Sequence, residues 1–210
     1  MPKRLFDLVF AALGLVLLTP LLLAAALWVV CDSPGPALFR QQRVGRAGKL
    51  FHIYKFRTMQ QRADAHSPAI TVGADARITR AGYWLRRTKA DELPQLVNVL
   101  LGQMSLVGPR PEVPHYVALY PSDLRELILS VRPGITDHAS IEFRDESTLL
   151  GQSSDPERTY IEEILPVKLR YAAQYARSHT LWADLKIIAR TISALWGYHP
   201  SGGRGPSGSA

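Results

Sequence analysis

Leu8 through Cys31 is a run of 24 residues without one charged side chain, bounded by Asp7 and Asp32. As a single helix it would be about 36 Å long, enough to cross a bilayer. A segment this apolar is either removed after export or placed in lipid, and three readings fit. Lys3-Arg4, the apolar run and Ala24-Ala25-Ala26 match a cleavable signal peptide. The run also suits a single-pass anchor. The third reading is a re-entrant hairpin turning at Thr19-Pro20. Pro20 removes a backbone donor and crowds the preceding turn, costing about 3 kcal/mol in a helix interior. Thr19 can donate its hydroxyl back to the Leu15 carbonyl. Each arm would then be about 18 Å long, which suits one leaflet.

Charge around the segment favours the hairpin. Lys3 and Arg4 precede it, and Arg40, Arg43, Arg46, Lys49, Lys55, Arg57 and Arg62 follow it. The positive-inside rule puts both flanks in the cytoplasm, which a single-pass helix cannot satisfy. The formal net charge of +7 is uneven: residues 1–90 hold 14 Lys/Arg against 4 Asp/Glu, and residues 91–210 hold 11 against 14. A basic half of this kind meets an anionic partner: nucleic acid, a phospholipid surface or a phosphorylated molecule. The lone cysteine, Cys31, excludes an intramolecular disulfide framework and a cysteine-rich zinc module.

The remaining patterns predict an α+β, mostly helical chain. Its parts are a membrane element over 1–36, a catalytic domain over 37–199 and a Gly/Ser-rich tail over 200–210. Ala37–Arg43 and Leu50–Arg57 read as a β-hairpin around Gly45-Arg46-Ala47-Gly48. Residues 64–76 read as loop, Ile78–Thr88 and Asp91–Leu101 as helices, and Ser105–Pro114 as an extended loop. Ser122–Val131 is a helix, and Ile135–Arg144 a short strand or extended stretch. Asp155-Pro156-Glu157 starts a helix that breaks at Pro166 and resumes to Arg177. Thr180–Tyr198 is amphipathic, with Leu181, Leu185, Ile188, Ile192 and Leu195 at helical spacing. It packs on the core or lies at the membrane interface.

Asp91-Glu92 opens the helix after the basic cluster. The bland reading makes Asp91 an N-cap and Glu92 a complement to the helix dipole. Around the pair, however, stand Lys55, Arg57, Arg86, Arg87, Arg110 and Arg144, several in stiff Pro/Gly loops. Such arginines suit phosphate oxygens, and a carboxylate ringed by cations is ready to attack phosphorus. A Mg²⁺ ion held by Asp91 and Glu92 and bridging a diphosphate would complete a phosphoryl-transfer site.

Four ordered motifs resemble the bacterial sugar transferase family of small monotopic phosphoglycosyl transferases. They are Lys55-Phe56-Arg57-Thr58-Met59, Asp91-Glu92-Leu93-Pro94-Gln95-Leu96 with Asn98-Val99-Leu100, Met104-Ser105-Leu106-Val107-Gly108-Pro109-Arg110-Pro111, and Pro133-Gly134-Ile135-Thr136. The resemblance runs from Lys3 to about Trp196. It implies a re-entrant membrane helix broken at Thr19-Pro20, with amphipathic interfacial helices. It further implies transfer of a sugar 1-phosphate from a UDP-sugar to polyprenol (undecaprenyl) phosphate with release of UMP. That reaction belongs at the cytoplasmic face of the bacterial inner membrane and starts glycoconjugate assembly. Asp91 would be the nucleophile that forms a covalent phosphosugar intermediate. Glu92 would support it, through Mg²⁺ or by activating the incoming group. Lys55, Arg57, Arg86, Arg87, Arg110 and Arg144 would bind phosphate. The phospholipid bilayer is an implied partner, nucleic acid is not, and a homodimer is compatible.

Two departures bear on the resemblance. Thr19 replaces the commoner Ser before Pro20. In Thr136-Asp137-His138-Ala139-Ser140-Ile141-Glu142-Phe143-Arg144, many members carry Gly after the Thr, Gln at the place of Ser140 and Asn-Gly before the Arg. The competing reading from another class is a non-catalytic, membrane-tethered basic module that binds anionic lipid or nucleic acid.

Overall fold

The computed structural model describes residues 2–60, 70–73 and 75–196. The expected tail over 200–210, and most of the expected loop at 64–76, lie outside the described residues. Helix α1 (Pro2–Asp32) contains the whole apolar run with Pro20 in its interior. The expected break at Thr19-Pro20 is therefore corrected: the helix is continuous across the proline. Thr19 Oγ1 does donate to the Leu15 carbonyl, at 2.6 Å.

Packing on both sides of Pro20 explains the continuity, because tertiary contacts override a local helix penalty. Before the proline, Ala11, Leu15 and Leu18 pack against Phe51, Ile53, Leu96, Val99 and Met104. After it, Leu22, Ala25, Ala26 and Val29 pack against Phe56, Ala81 and Leu85. The buried residues form a narrow stripe. Leu5, Val9, Phe10, Leu13, Val16, Leu17, Leu21, Leu23 and Leu27 stay exposed. Among the described residues, α1 is the one helix long and apolar enough to cross a membrane.

Both ends of α1 are bonded to the same domain. Lys3 Nζ donates to Asp184 Oδ2 at 2.6 Å, and Arg4 Nη1 to the Val99 carbonyl at 2.8 Å. Fully buried Asp7 accepts from Ser105 Oγ at 2.9 Å. At the far end, Asp32 Oδ2 accepts from the Ala81 amide at 2.9 Å. Arg57 completes this anchor. Its Nε donates to the Pro36 carbonyl at 2.8 Å, Nη1 to Pro34 at 3.0 Å and to Ser33 Oγ, and Nη2 to Ser33 at 2.8 Å and Val29 at 3.2 Å. A guanidinium thus gathers the Val29 carbonyl in the last turn of α1 and the carbonyls of the turn that follows the helix.

The expected hairpin is present as β1 (Leu38–Val44) and β2 (Leu50–Phe56), antiparallel, with Leu38 opposite Phe56 and Val44 opposite Leu50. Helix α2 (Arg80–Thr88) follows, capped by Thr79 Oγ1 on the Gly82 amide. A Cβ on Gly82 would lie 2.0 Å from the Thr58 carbonyl oxygen, so glycine alone lets α2 sit this close to the end of β2. Helix α3 (Gln95–Leu100) is stitched to β2 by fully buried Asn98. Its Oδ1 accepts from the Tyr54 amide at 3.0 Å and its Nδ2 donates to the His52 carbonyl at 2.8 Å. The exposed edge of β2 is thereby satisfied by a side chain.

Ser105–Pro114 is not purely loop. Strand β3 (Ser105–Val107) pairs in parallel with β4 (Gly134–Thr136). Between them lie α4 (Pro114–Val117) and α5 (Ser122–Leu129). Beyond β4 the expected extended stretch becomes α6 (His138–Glu142), because Asp137 accepts from the Ser140 amide at 2.7 Å and caps it. Helix α7 (Glu146–Gly151) precedes α8 (Pro156–Thr159), which is capped by Asp155 as expected. A π-helical turn over Tyr160–Ile164 then leads into α9 (Leu165–Ser178). Pro166 does not break the chain's helical course: it is helical from Pro156 to Ser178, and the π turn just before the proline widens the helix where its ring would crowd the preceding turn. Tyr116, Ile128, Leu150, Tyr160, Ile164, Leu165 and Leu169 form the core of this half.

Helix α10 (Leu181–Trp196) packs on the domain through one face and leaves apolar residues exposed on another. Asp184 and Ile187 are buried, while Leu181, Trp182, Leu185 and Ile192 are exposed.

Because Arg57 closes the end of α1, Arg57→Lys should lower thermal stability by at least about 2 kcal/mol. An ammonium cannot reach carbonyls spread over Val29 to Pro36. Calorimetric or spectroscopic melting of purified variant and wild type checks this; unchanged melting would show the clamp to be dispensable.

Candidate active site

The chain reaches the site through one strained residue. Helix α2 ends at Lys89, which takes a left-handed conformation at φ 57°. For a residue with a Cβ this costs roughly 1 kcal/mol or more. The turn redirects the chain into a single 3₁₀ turn over Ala90–Glu92, after which Pro94 leads into α3. Asp91 sits inside that turn and caps no helix, so the ordinary N-cap role does not consume its carboxylate. Asp91 is buried, and its Oδ1 has no hydrogen-bond partner among the described residues.

Its neighbour is fully engaged. Glu92 Oε1 accepts from Lys55 Nζ at 2.9 Å, and Arg110 places Nη1 on Oε2 at 3.1 Å and Nη2 on Oε1. Lys55 comes from β2, and Arg110 from the loop after β3. The loop is held by its own backbone: the Arg110 amide donates to Asp137 Oδ2 at 3.2 Å. Close approach of Gly108 to Gly134 makes this possible, since a Cβ on Gly134 would lie 2.1 Å from the Gly108 nitrogen.

These environments separate two adjacent carboxyls. Burial pushes the Asp91 carboxyl above its ordinary range, and the charge of Glu92 pushes the same way against Lys55, Lys89 and Arg86. Burial also acts upward on Glu92, but Arg110 and Lys55 outweigh it and hold Glu92 well below the ordinary range. Lys55 is lowered by burial, with Glu92 opposing.

A cleft of 1270 Å³ opens over the pair. Lys55, Arg86, Lys89, Arg110 and Arg144 all line it, as do Asp91 and Glu92. Two sequence candidates are not delivered to it. Arg57 borders the cleft, but its guanidinium is committed to the end of α1. Arg87 is one position off the facing side of α2; its guanidinium lies 5.5 Å from the Trp84 ring centroid. Arg144 donates to the Ala194 carbonyl of α10, which ties the cleft wall to that helix. Lys89 was not among the sequence candidates. Its position directly before Ala90-Asp91 was the available signal.

Among the described residues no group of three His, Cys, Asp or Glu side chains converges as a metal site. The donors fit a hard cation chiefly through Asp91 Oδ1, because both oxygens of Glu92 already face cations. A cation here would complete its shell with substrate oxygens and water, the usual habit of Mg²⁺ at phosphoryl-transfer sites.

The comparisons with known proteins agree with this geometry. The family model for bacterial sugar transferases matches residues 1–197. The chain is 42% identical over 197 residues to a UDP-glucose:undecaprenyl-phosphate glucose-1-phosphate transferase of Caulobacter vibrioides, covering 92% of this chain and 69% of that protein. It is 36% identical over 195 residues to a UDP-N-acetylgalactosamine-undecaprenyl-phosphate N-acetylgalactosaminephosphotransferase of Aeromonas hydrophila, covering 92% of this chain but 43% of that protein. It is 53% identical over 109 residues to the exopolysaccharide production protein PSS of Rhizobium leguminosarum bv. phaseoli, covering 51% of this chain and 54% of that protein. With its family model matched over nearly the whole length and its cations and carboxylates gathered in one cleft, this chain is a transferase and belongs to the bacterial sugar transferase family.

Proposed function

We propose that this chain moves a sugar 1-phosphate from a UDP-sugar to undecaprenyl phosphate, releasing UMP, through a covalent intermediate on Asp91. The observation that carries the proposal is the buried Asp91 oxygen, without a hydrogen-bond partner among the described residues, in a cleft that Lys55, Arg86, Lys89, Arg110 and Arg144 help to line. In the first step an Asp91 carboxylate oxygen attacks the phosphorus that bears the sugar. The bond from that phosphorus to the bridging oxygen breaks, and UMP leaves with the bridging oxygen and its electron pair. In the second step a phosphate oxygen of undecaprenyl phosphate attacks the same phosphorus. The Asp91 oxygen–phosphorus bond breaks, the carboxylate is restored, and a polyprenyl diphosphate sugar departs.

Each residue has a distinct task. Glu92 holds Lys55 and Arg110 in place for the diphosphate oxygens, and Arg86, Lys89 and Arg144 add charge at the walls. Asp91 and Glu92 are the residues that would hold Mg²⁺, Asp91 chiefly. When bound, the ion supplies neutralisation of diphosphate charge. The printed substrates of the relatives include both glucose and N-acetylgalactosamine donors, so the proposal names the UDP-sugar class and no single sugar.

The same reading places residues 1–36 in one face of the bacterial inner membrane and 37–199 as the catalytic domain on the cytoplasmic side. It is supported by the bonding of both ends of α1 to one domain and by the exposed apolar residues of α1 and α10. A polyprenyl chain in that bilayer presents its phosphate at the level of the cleft. Re-entry is then a matter of α1 dipping into lipid alongside its domain, with neither end leaving the cytoplasmic face.

Asp91→Asn should abolish both UMP release and labelling of the protein by a radiolabelled UDP-sugar. It should also raise thermal stability at neutral pH. The folded-state pKa of Asp91 lies above the unfolded value of 3.8, so its contribution is favourable at low pH and is lost as pH rises through the folded pKa. The amide removes that cost. Equal UMP release by variant and wild type would leave a non-catalytic basic module as the better reading.

Glu92→Gln should have the opposite effect on stability. It removes the carboxylate bonded to both Lys55 and Arg110 and leaves these half-buried cations without their closest counter-charge, a loss of about 2 kcal/mol or more. Melting temperatures measured side by side decide between the opposed signs.

In a Cys31→Ser background, Pro2→Cys and Lys49→Cys should react with an impermeant maleimide from the same side of sealed inner-membrane vesicles. Labelling from opposite sides would establish a single-pass anchor.

A further inference from the structure

Four buried side-chain atoms find no hydrogen-bond partner among the described residues: Arg43 Nε, Asp91 Oδ1, Gln95 Nε2 and Ser140 Oγ. Buried polar atoms are normally paired, and each exception asks for an explanation. Three of the four, on Arg43, Asp91 and Ser140, belong to residues that line the cleft described above. Asp91 is accounted for by the transfer reaction, and Arg43 and Ser140 are not.

These two residues bracket the loop that carries Arg110. On one side, Asp137 binds the Ser140 amide through Oδ1 and the Arg110 amide through Oδ2. On the other side, Arg43 Nη1 donates to the Pro111 carbonyl at 3.0 Å and to Glu112 Oε2 at 3.4 Å, while Nη2 donates to Gln41 Oε1 at 2.6 Å. The charge of Arg43 is thus compensated by Glu112, and what remains is one neutral-type donor, Nε–H. Ser140 offers a hydroxyl, which donates and accepts. Neither group resembles the exposed positive charge that phosphate selects. Both match a ring bearing hydroxyl groups.

Covalent connectivity says which ring. In a UDP-sugar the phosphorus attacked by Asp91 carries the hexose through a single oxygen, whereas uracil is separated from it by the other phosphate and the ribose. Arg110 grips Glu92 beside Asp91, and Arg43 and Ser140 sit one residue and one shared carboxylate away from Arg110. We propose that Arg43 and Ser140 form the sugar subsite, contacting hydroxyl groups of the donor's hexose next to the reacting phosphorus. This assignment rests on the transferase reading given above.

The test uses the full-length protein in detergent with undecaprenyl phosphate, UDP-glucose and UDP-N-acetylgalactosamine as donors, and UMP as a sugar-free competitor. Ser140→Ala removes the hydroxyl, and Arg43→Lys keeps the charge opposite Glu112 but removes Nε–H. Each should raise the KM of the preferred donor about three- to tenfold, the scale of one neutral hydrogen bond, with a smaller change in kcat. Inhibition by UMP should be unchanged. Ser140→Thr should keep the wild-type KM within about twofold. If Arg43→Lys fails to fold, Ser140→Ala against Ser140→Thr carries the test alone. Unchanged donor KM in the alanine variant overturns the assignment. So does a parallel loss of UMP inhibition, which would move these residues to the nucleotide. Absence of UMP release by the wild type with every UDP-sugar would instead overturn the transferase reading, and this subsite with it.

Discussion

Glu92 is the point at which the site is assembled. One carboxylate accepts from Lys55 on β2 and from Arg110 on the loop after β3, while its own backbone belongs to the turn between α2 and α3. Three segments far apart in sequence are thereby fixed around a single side chain. A buried carboxylate is tolerated only with such partners. The arrangement also explains why the neighbouring Asp91 is left over: the cations nearest the pair are already bonded to Glu92, so Asp91 retains a buried oxygen with no partner.

The long apolar helix follows the same logic at larger scale. A stripe of residues on α1 packs on β2, α3 and α2, and charged residues at its ends are bonded into that same domain. Asp7, Lys3, Asp184 and Tyr175 link α1 to β3, α9 and α10, with Tyr175 donating to Asp184 Oδ1 at 2.8 Å. The helix is therefore a structural wall of the domain that happens to be coated with exposed leucines on its other side. In the membrane placement proposed above, a helix built this way would hold its domain at a set distance from the lipid surface, which a flexible tether would not do.

Local signals were legible in the sequence, and long-range ones were not. The hairpin at Leu38–Phe56, the Asp155 cap and the end of α2 at Thr88 depend on residues within a few positions of one another, and all three were anticipated. The parallel pairing of β3 with β4 depends on Gly108 meeting Gly134, 26 positions away, and no local pattern announces it. Arg57 and Arg110 are both arginines in recognised motifs. One is drawn to the end of α1 and the other to Glu92, because of partners that lie 18 or more positions away. Pro20 and Pro166 were both read as breaks. Packing overrides the first, and the π turn directly before it accommodates the second.

The charge over the cleft links the two proposed half-reactions. Ten cationic side chains line it against five acidic ones, which leaves the resting site an excess of five positive charges. A UDP-sugar brings about two negative charges on its diphosphate, which this excess accommodates. In the proposed intermediate, once UMP has left, the Asp91 charge is consumed in the bond to phosphorus, and the attached phosphosugar keeps one negative charge. One negative charge replaces another, so the site carries the same charge after the proposed first step as at rest. The positive excess that accommodates the UDP-sugar is therefore still present for undecaprenyl phosphate once UMP has left. Both proposed steps require Glu92 to stay ionised, since loss of its charge would release Lys55 and Arg110 from the positions that both phosphates need.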